Sequence, residues 1–203
     1  MKLICIGRNY ADHIAELENQ KPDHPVVFLK PDSSILLKKM PFVIPAFSND
    51  IHHEVEVLVK INKLGKHIDS KFAHNYYDEL GLGIDFTARD IQNELKQKGL
   101  PWEKAKAFDG AAVIGDWMSK DEFKNTDDLS FSLSKNGKVV QQGRSSLMLW
   151  KIDEIISYVS QYFTLKIGDI IFTGTPAGVG PVASGDHLVG ELEGHQLFAI
   201  NVK

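Results

Sequence analysis

The sequence predicts an α+β protein built on a mainly antiparallel or mixed β core with a few peripheral helices. Three observations lead there: strand-like runs outnumber helical ones, they come in consecutive groups, and the regular strand–helix alternation of a doubly wound sheet is missing. The 203 residues fit one domain, 1–203. A chain of this length buries roughly 70% of the surface its unfolded form exposes, so its core needs no disulfide or structural metal.

In chain order, MKLICIG reads as a first strand, and Asn9 is placed to cap a short helix from Tyr10 to about Asn19, with Ile14 and Leu17 on one side. Lys21 to Pro25 is a loop and Val26 to Lys30 a strand, whereas Pro41 and Pro45 make Lys38 to Asn49 irregular or an edge. Ile51 to Lys60, IHHEVEVLVK, alternates with the two-residue period of a strand. Leu80 to Phe86 is a further strand-like run, interrupted by Gly81 and Gly83. Thr87 then opens a helix with Asp90 at the capping-box position; it runs to Lys98 and stops at Gly99, with Pro101 beyond. Asn136-Gly137 inside Phe131 to Val140 is a hairpin signal. Ile152, Ile155, Ile156 and Val159 set a helix from about Ile152 to Tyr162. About forty residues remain, read as three strands with Gly-rich turns, among them Phe172 to Gly180, FTGTPAGVG.

Composition narrows the function. The 43% apolar and 25% charged content are ordinary for a soluble globular protein. A net charge of -4 favours neither nucleic acid nor an anionic membrane as partner. A single cysteine, Cys5, excludes an intramolecular disulfide and a Cys-based zinc site, and inside an apolar run it reads as a small buried hydrophobe. The N-terminal apolar run is too short for a signal peptide and no later run reaches transmembrane length, so a cytoplasmic protein is expected.

Chemistry enters at the 51–60 strand. Side chains alternate across a strand, which puts Glu54 and Glu56 on one face and Val55, Val57 and Val59 on the other. Leu58 continues the carboxylate face, so that face is not freely solvated. Two neighbouring ionised carboxylates in a partly dry setting repel unless one protonates, bases pair with them, or a cation binds. Oxygen ligands suit Mg²⁺, Mn²⁺ or Ca²⁺ rather than zinc. Taken alone, Glu-x-Glu is more often an exposed strand edge; Asp85, at a strand end before a helix, is the candidate third ligand. His52 and His53 are adjacent on a strand and point to opposite faces, so they read as packing residues around the acids. His13 and Glu16, three apart, share one side of the first helix, where a carboxylate would fix the imidazole tautomer and free its other nitrogen as a base. Arg89, Gln92 and Lys96 share a face of the later helix; Lys106 carries no signal of its own. Neither FTGTPAGVG nor GLGIDF meets a nucleotide-binding pattern, but the first could set Thr175 and backbone N–H groups around a carboxylate.

The order of these segments is more specific than any one of them. Gly7-Arg-Asn-Tyr-Ala-Asp-His13 with Glu16, His53-Glu54-Val-Glu56, Asp85-Phe-Thr-Ala-Arg89-Asp-Ile-Gln92, Lys98-Gly-Leu-Pro-Trp-Glu-Lys-Ala-Lys106 and Thr173-Gly-Thr175-Pro-Ala-Gly-Val-Gly together resemble the fumarylacetoacetate hydrolase family, in its small acylpyruvate hydrolase and oxaloacetate decarboxylase branch. The resemblance implies a roll-like β core, a homodimer, and Mg²⁺ or Mn²⁺ held by Glu54, Glu56 and Asp85. It places the catalytic dyad on His13 and Glu16, a catalytic lysine on Lys106, and substrate contacts on Arg89, Gln92 and Thr175. The implied reaction is C–C cleavage of a small β-diketo acid such as an acylpyruvate. The alternatives are oxaloacetate decarboxylation or keto–enol tautomerisation, hydroxymuconate-type isomerisation or decarboxylation, and, in another class, a non-catalytic divalent-metal-binding module. Two departures bear on the pocket: Gln141-Gln-Gly143-Arg-Ser145 has Ser where the family often has Thr, and Ala107 follows Lys106 where many relatives have Ser.

Overall fold

The valines of the 51–60 run fill the centre of the molecule, whose computed structural model describes residues 1–17 and 20–203. In chain order the elements are β1 (Leu3–Gly7), α1 (Ala11–Glu16), β2 (Val26–Lys30), β3 (Ile51–His53), β4 (Val55–Ile61), α2 (Ser70–Ala73), β5 (Tyr77–Asp85), β6 (Thr87–Ala88), α3 (Arg89–Gln97), α4 (Glu103–Lys106), β7 (Ala112–Ser119), β8 (Ser130–Lys135), β9 (Lys138–Arg144), α5 (Ile152–Tyr162), β10 (Ile170–Phe172), β11 (Gly180–Pro181), β12 (His187–Leu192) and β13 (His195–Asn201). Among the described residues the strands form a sheet ordered β2-β1-β10-β4-β5-β7, a four-stranded sheet ordered β13-β12-β8-β9, and a small sheet ordered β11-β3-β6. β1 runs parallel to β10, while β5 runs antiparallel to both of its neighbours, β4 and β7. This is the α+β fold with a mainly antiparallel β core that the strand pattern predicts, made mixed by the parallel β1–β10 pair.

The two faces of β4 divide as alternation requires. Val55, Val57 and Val59 join Leu80, Leu82 and Ile84 of β5 in the main core, which also holds Ile152, Ile155, Ile156 and Val159 of α5 and Leu188 and Leu192 of β12. Each such side chain taken fully from water contributes about 1.5–3 kcal/mol. Leu58 faces the other way, into a smaller cluster with Leu3, Cys5, Ala112, Ile170 and Phe172. Glu56 is two residues before Leu58 on that second face. Cys5 is fully buried there, and burial pushes its thiol pKa well up, with the charge of Asp85 adding to the effect. It is an inert packing residue.

Several elements match the sequence: α5 spans the residues its isoleucine spacing marks, and Gly99, at φ +63°, ends the turn after α3. Asn136 and Gly137 both take positive φ between β8 and β9, as a two-residue hairpin of type I′ demands. Other boundaries move, each for a long-range reason. Asn9 does not cap α1. Its amide instead donates to the carbonyls of Thr173 (2.7 Å) and Trp150 (3.1 Å) and accepts from the Trp150 N–H. The expected end of that helix near Asn19 lies outside the described residues. Thr87 does not open α3 either, because Thr87 and Ala88 pair with β3, which leaves Ala88 at the cap position. Asp90 accepts instead from the Ser48 hydroxyl (2.6 Å) and the Asn49 N–H (3.0 Å). The 51–60 run breaks into two strands at Glu54. Among the described residues no helix is long and apolar enough to cross a membrane.

Candidate active site and metal centre

Strand register brings the three acids together. β4 and β5 pair antiparallel with Val55 opposite Ile84 and Glu56 opposite Gly83, and the Asp85 N–H donates to the Glu54 carbonyl at 2.9 Å. Residues 27 to 31 apart in sequence thus face each other where β4 begins and β5 ends. Gly83 makes the approach of the third strand possible. A Cβ there would lie 2.2 Å from the Val113 carbonyl oxygen and 2.8 Å from Leu58 Cδ1. Glu54, Glu56 and Asp85 are all buried, with one oxygen from each lying within 4.8 Å of the others.

Three cations face these three anions. Lys106, on the last turn of α4, donates at 2.7 Å to Glu54 Oε2, to Asp85 Oδ2 and to the Thr87 hydroxyl. Arg89, the first residue of α3, donates to Glu54 Oε1 and, at 2.6 Å, to Gln92 Oε1. Lys30, at the end of β2, is fully buried; its Nζ donates to the Lys106 and Ala111 carbonyls and lies 2.6 Å from Asp85 Oδ1. That approach is out of hydrogen-bonding alignment, so Asp85 Oδ1 accepts no hydrogen bond. Burial alone would raise the pKa of Glu54, but Lys106 and Arg89 together hold it well below the usual carboxylate range. Glu56 goes the other way, raised by burial and by the charges of Asp85 and Glu54, despite the hydrogen bond it accepts from the Gly174 N–H at 2.7 Å. Burial pulls the Lys106 ammonium down, and Asp85 and Glu54 more than offset it, so Lys106 stays charged.

The donor set fits a hard divalent cation. It is all carboxylate oxygen, it is buried, one of its oxygens lacks a hydrogen-bond donor, and among the described residues no His or Cys joins it. These residues could hold Mg²⁺ or Mn²⁺; nothing in the set favours zinc.

A cavity opens above the acids, lined also by His13, Arg89, Gln92, Lys106 and Thr175. His13 is buried, and its Nδ1 faces Glu16 Oε2 at 3.3 Å. The other Glu16 oxygen accepts from the Gly178 N–H at 3.0 Å, so the glycine-rich loop fixes the dyad. Burial lowers the His13 pKa, partly countered by Glu54 and by the Glu16 hydrogen bond. Thr175 is held from behind by Gln141. The Gln141 amide nitrogen donates to the Thr175 hydroxyl (2.9 Å) and the Pro176 carbonyl (3.1 Å); its oxygen accepts from the Val55 N–H (3.0 Å) and faces His53 Nδ1 at 2.9 Å. His53 is therefore a packing residue protonated on Nδ1, and His52 faces Asp50 at 2.9 Å. The structure thus gathers every sequence-predicted site residue around one cavity, with Glu16 behind His13.

Comparison with known proteins is decisive at the family level. The family model for the fumarylacetoacetate (FAA) hydrolase C-terminal domain matches residues 2–201. The chain belongs to the fumarylacetoacetate hydrolase family. It is 40% identical over 197 residues to an oxaloacetate tautomerase of Escherichia coli (strain K12), covering 97% of this chain and 90% of that protein. It is 43% identical over 185 residues to a mitochondrial oxaloacetate decarboxylase of Dictyostelium discoideum, covering 91% of this chain and 85% of that one. The crystal structure of a fumarylpyruvate hydrolase from Pseudomonas aeruginosa, in complex with Mn²⁺ and pyruvate, superposes with a TM-score of 0.94 at 31% identity, covering 100% of this chain and 89% of that one. The chain is an enzyme of the fumarylacetoacetate hydrolase family; the two oxaloacetate-named relatives carry keto–enol and decarboxylation chemistry, and the solved neighbour is a hydrolase.

Lys30 escapes sequence reasoning, and Gln141 is marked there only as part of the run Gln141-Gln-Gly143-Arg-Ser145. Lys30 ends a short apolar strand, and nothing local marks it for burial against Asp85. Gln141 stands in a Gln-x-Gly run whose role appears only when β9 is docked behind the Thr175 loop.

Proposed function

We propose that this enzyme interconverts the keto and enol forms of oxaloacetate, or of a close 2-keto acid, at a divalent-metal site formed by Glu54, Glu56 and Asp85. The observation that carries this reading is the convergence, in one cavity, of a buried all-carboxylate triad, the Lys106 ammonium and the His13 imidazole. The metal, when bound, supplies Lewis-acid stabilisation of negative charge. The chain's own residues do the rest. Thr175 already accepts a hydrogen bond from Gln141, so its own O–H is directed outward, to donate to the substrate carboxylate. Arg89, locked by Glu54 and Gln92, presents a fixed edge of positive charge to the same group. With Nδ1 turned to Glu16, His13 takes a proton at Nε2 from the carbon next to the keto group and returns it to oxygen. Lys106 stands where the enolate's negative charge builds up.

A second reading, hydrolytic C–C cleavage of an acylpyruvate or fumarylpyruvate, is favoured by the same dyad, since an oriented neutral imidazole deprotonates water equally well. The likeness to the fumarylpyruvate hydrolase supports it. The deciding assay uses metal-stripped protein with and without added Mg²⁺, alongside Glu54→Ala. Enol-to-keto conversion of oxaloacetate is followed by ultraviolet absorbance, and pyruvate release from oxaloacetate and from acetylpyruvate is followed separately. Mg²⁺-dependent tautomerisation, lost in Glu54→Ala, is the expected result. Pyruvate and acetate from acetylpyruvate at a comparable rate would install the hydrolytic reading instead. Inactivity on both substrates in the metal-loaded protein would remove both readings.

A further inference from the structure

Asn9, in the turn between β1 and α1, is fully buried and has no task in the reaction as written. Its side-chain amide bonds to distant backbone. The nitrogen donates to the carbonyls of Thr173, 164 residues away, and Trp150, 141 away, and the oxygen accepts from the Trp150 N–H. The Asn9 main-chain carbonyl accepts from the Leu149 N–H at 2.8 Å. The backbone on both sides is bent to bring these groups together. Arg8, directly before Asn9, holds φ at +59°, in the left-handed region that an arginine rarely adopts. Gly174, directly after Thr173, holds φ at +102°, and a Cβ there would lie 2.7 Å from the Asn9 Cβ. Strain of this kind persists where the surroundings overdetermine it, often at functional sites.

The contact joins the segment that carries the base to the segment that carries Thr175. On one side Tyr10, next in the chain, stands at the N-cap of α1, where its carbonyl accepts from the Ile14 N–H at 3.0 Å, and His13 lies in the first turn beyond it. On the other side the Thr173 hydroxyl donates to the Val57 carbonyl of β4 at 2.9 Å, the Gly174 N–H holds Glu56, and Thr175 follows. The same loop meets α1 again further along, where the Gly178 N–H donates to Glu16. Helix and loop are thus tied at two points, Asn9 to Thr173 and Glu16 to Gly178. His13 lies between the two ties on one segment and Thr175 on the other. One tie would leave the helix free to pivot about it; two fix distance and angle together. With both amide N–H groups and the amide oxygen bonded, the Asn9 side chain has a single orientation.

We infer that Asn9 is a positioning residue: its bond to the Thr173 carbonyl sets the spacing between His13 and Thr175, and so between the base and the substrate carbon. This rests on the keto–enol reading above, in which Thr175 holds the substrate carboxylate and His13 moves the proton. Asn9 touches neither substrate nor metal and acts through those two residues.

The test is a double-mutant cycle on Mg²⁺-loaded enzyme with oxaloacetate, using Asn9→Ala, Thr175→Val and the pair. In folded Asn9→Ala, kcat should fall about 10–100-fold with KM little changed, because the loop still binds the substrate while the base no longer stands at its carbon. Thr175→Val should act mainly on KM. In that background Asn9→Ala should cost far less, since a carboxylate that is not anchored no longer transmits the spacing. A residue that only packs would lower the melting temperature and leave kcat of the folded protein as in the wild type; that result, or losses that multiply in the double variant, overturns the role and leaves the proposed reaction standing. Should Asn9→Ala melt below the assay temperature, Asn9→Asp keeps the shape and the acceptor for the Trp150 N–H but loses the donor to Thr173, and the same loss of kcat is expected. If wild-type enzyme does not turn oxaloacetate over, the reaction is wrong, and amide hydrogen exchange still reads the tie. The Gly174 and Gly178 amides should then lose protection in the Asn9 variant while those of β4 and β5 keep theirs, and unchanged protection at both glycines overturns the inference.

Discussion

His13 reaches the cavity as a neutral base because burial holds its pKa below the usual 6.5. The sign of its pH dependence follows. Protonation removes the base, so activity falls as pH drops, with the acid limb below 6.5 rather than above it. The Glu16 hydrogen bond raises the His13 pKa against that burial. Glu16→Gln should therefore move the acid limb to lower pH while reducing turnover, and His13→Gln should cut turnover by roughly 10²–10⁴-fold. Metal affinity should stay near normal in both. A pH–rate profile of Glu16→Gln that superposes on the wild type would remove the dyad's assigned role. Spacing alone placed His13 and Glu16 on one helical side, but an exposed ion pair has the same spacing. The burial of His13 and the docked loop, with the Gly178 N–H on Glu16, distinguish the two.

At the scale of elements, the acids depend on three strands approaching closely. Gly83 faces Glu56 across the β4–β5 ladder, and the β5–β7 register shifts between Gly81 and Gly83. A Cβ at 83 would meet the Val113 backbone, which cannot move without displacing β7. Gly83→Ala should cost about 1–3 kcal/mol through overpacking, seen as a lower melting temperature, and should weaken metal binding because it disturbs Glu56 and Asp85 together. A melting temperature within a degree of the wild type would show that β7 yields freely and would end this account of the glycine. Elements governed by local physics were legible in the sequence. The isoleucine spacing of α5, the Asn-Gly hairpin and the Gly99 stop each follow from backbone or side-chain geometry within a few residues. Asn9 and Thr87 were misread because both carry good capping side chains whose better partners are distant: the Trp150 backbone for one, and Lys106 with the β3 pairing for the other. β7 and α4 had no periodicity long enough to announce them.

At the scale of the whole molecule, the site draws on β1, α1, β2, β4, β5, α3, α4 and the loop after β10, segments that meet only when the large sheet is complete. The acids and Lys106 were legible as an ordered set of motifs. Their buried counter-ion Lys30 was not, because a lysine on an apolar strand is ordinarily exposed. The balance it completes has a consequence for folding. With Lys30, Lys106 and Arg89 opposing Glu54, Glu56 and Asp85, the centre is neutralised without a cation, so the metal-stripped chain should remain folded. Binding to the folded form alone adds stability by mass action, about 2.7 kcal/mol at a metal concentration of one hundred times Kd. For a chain of 203 residues that corresponds to a rise in melting temperature of roughly 5–10 °C. Calorimetric melts of stripped protein with increasing Mg²⁺ or Mn²⁺ should show a cooperative transition throughout and this upward shift. In Glu54→Ala the shift should vanish, and the stripped form should melt lower than stripped wild type, because Lys106 and Arg89 lose a buried partner. A stripped chain without a cooperative transition would mean that the lysines do not balance the acids. A wild-type melt indifferent to both ions at millimolar concentration would mean that the triad is an ion-pair cluster and holds no metal.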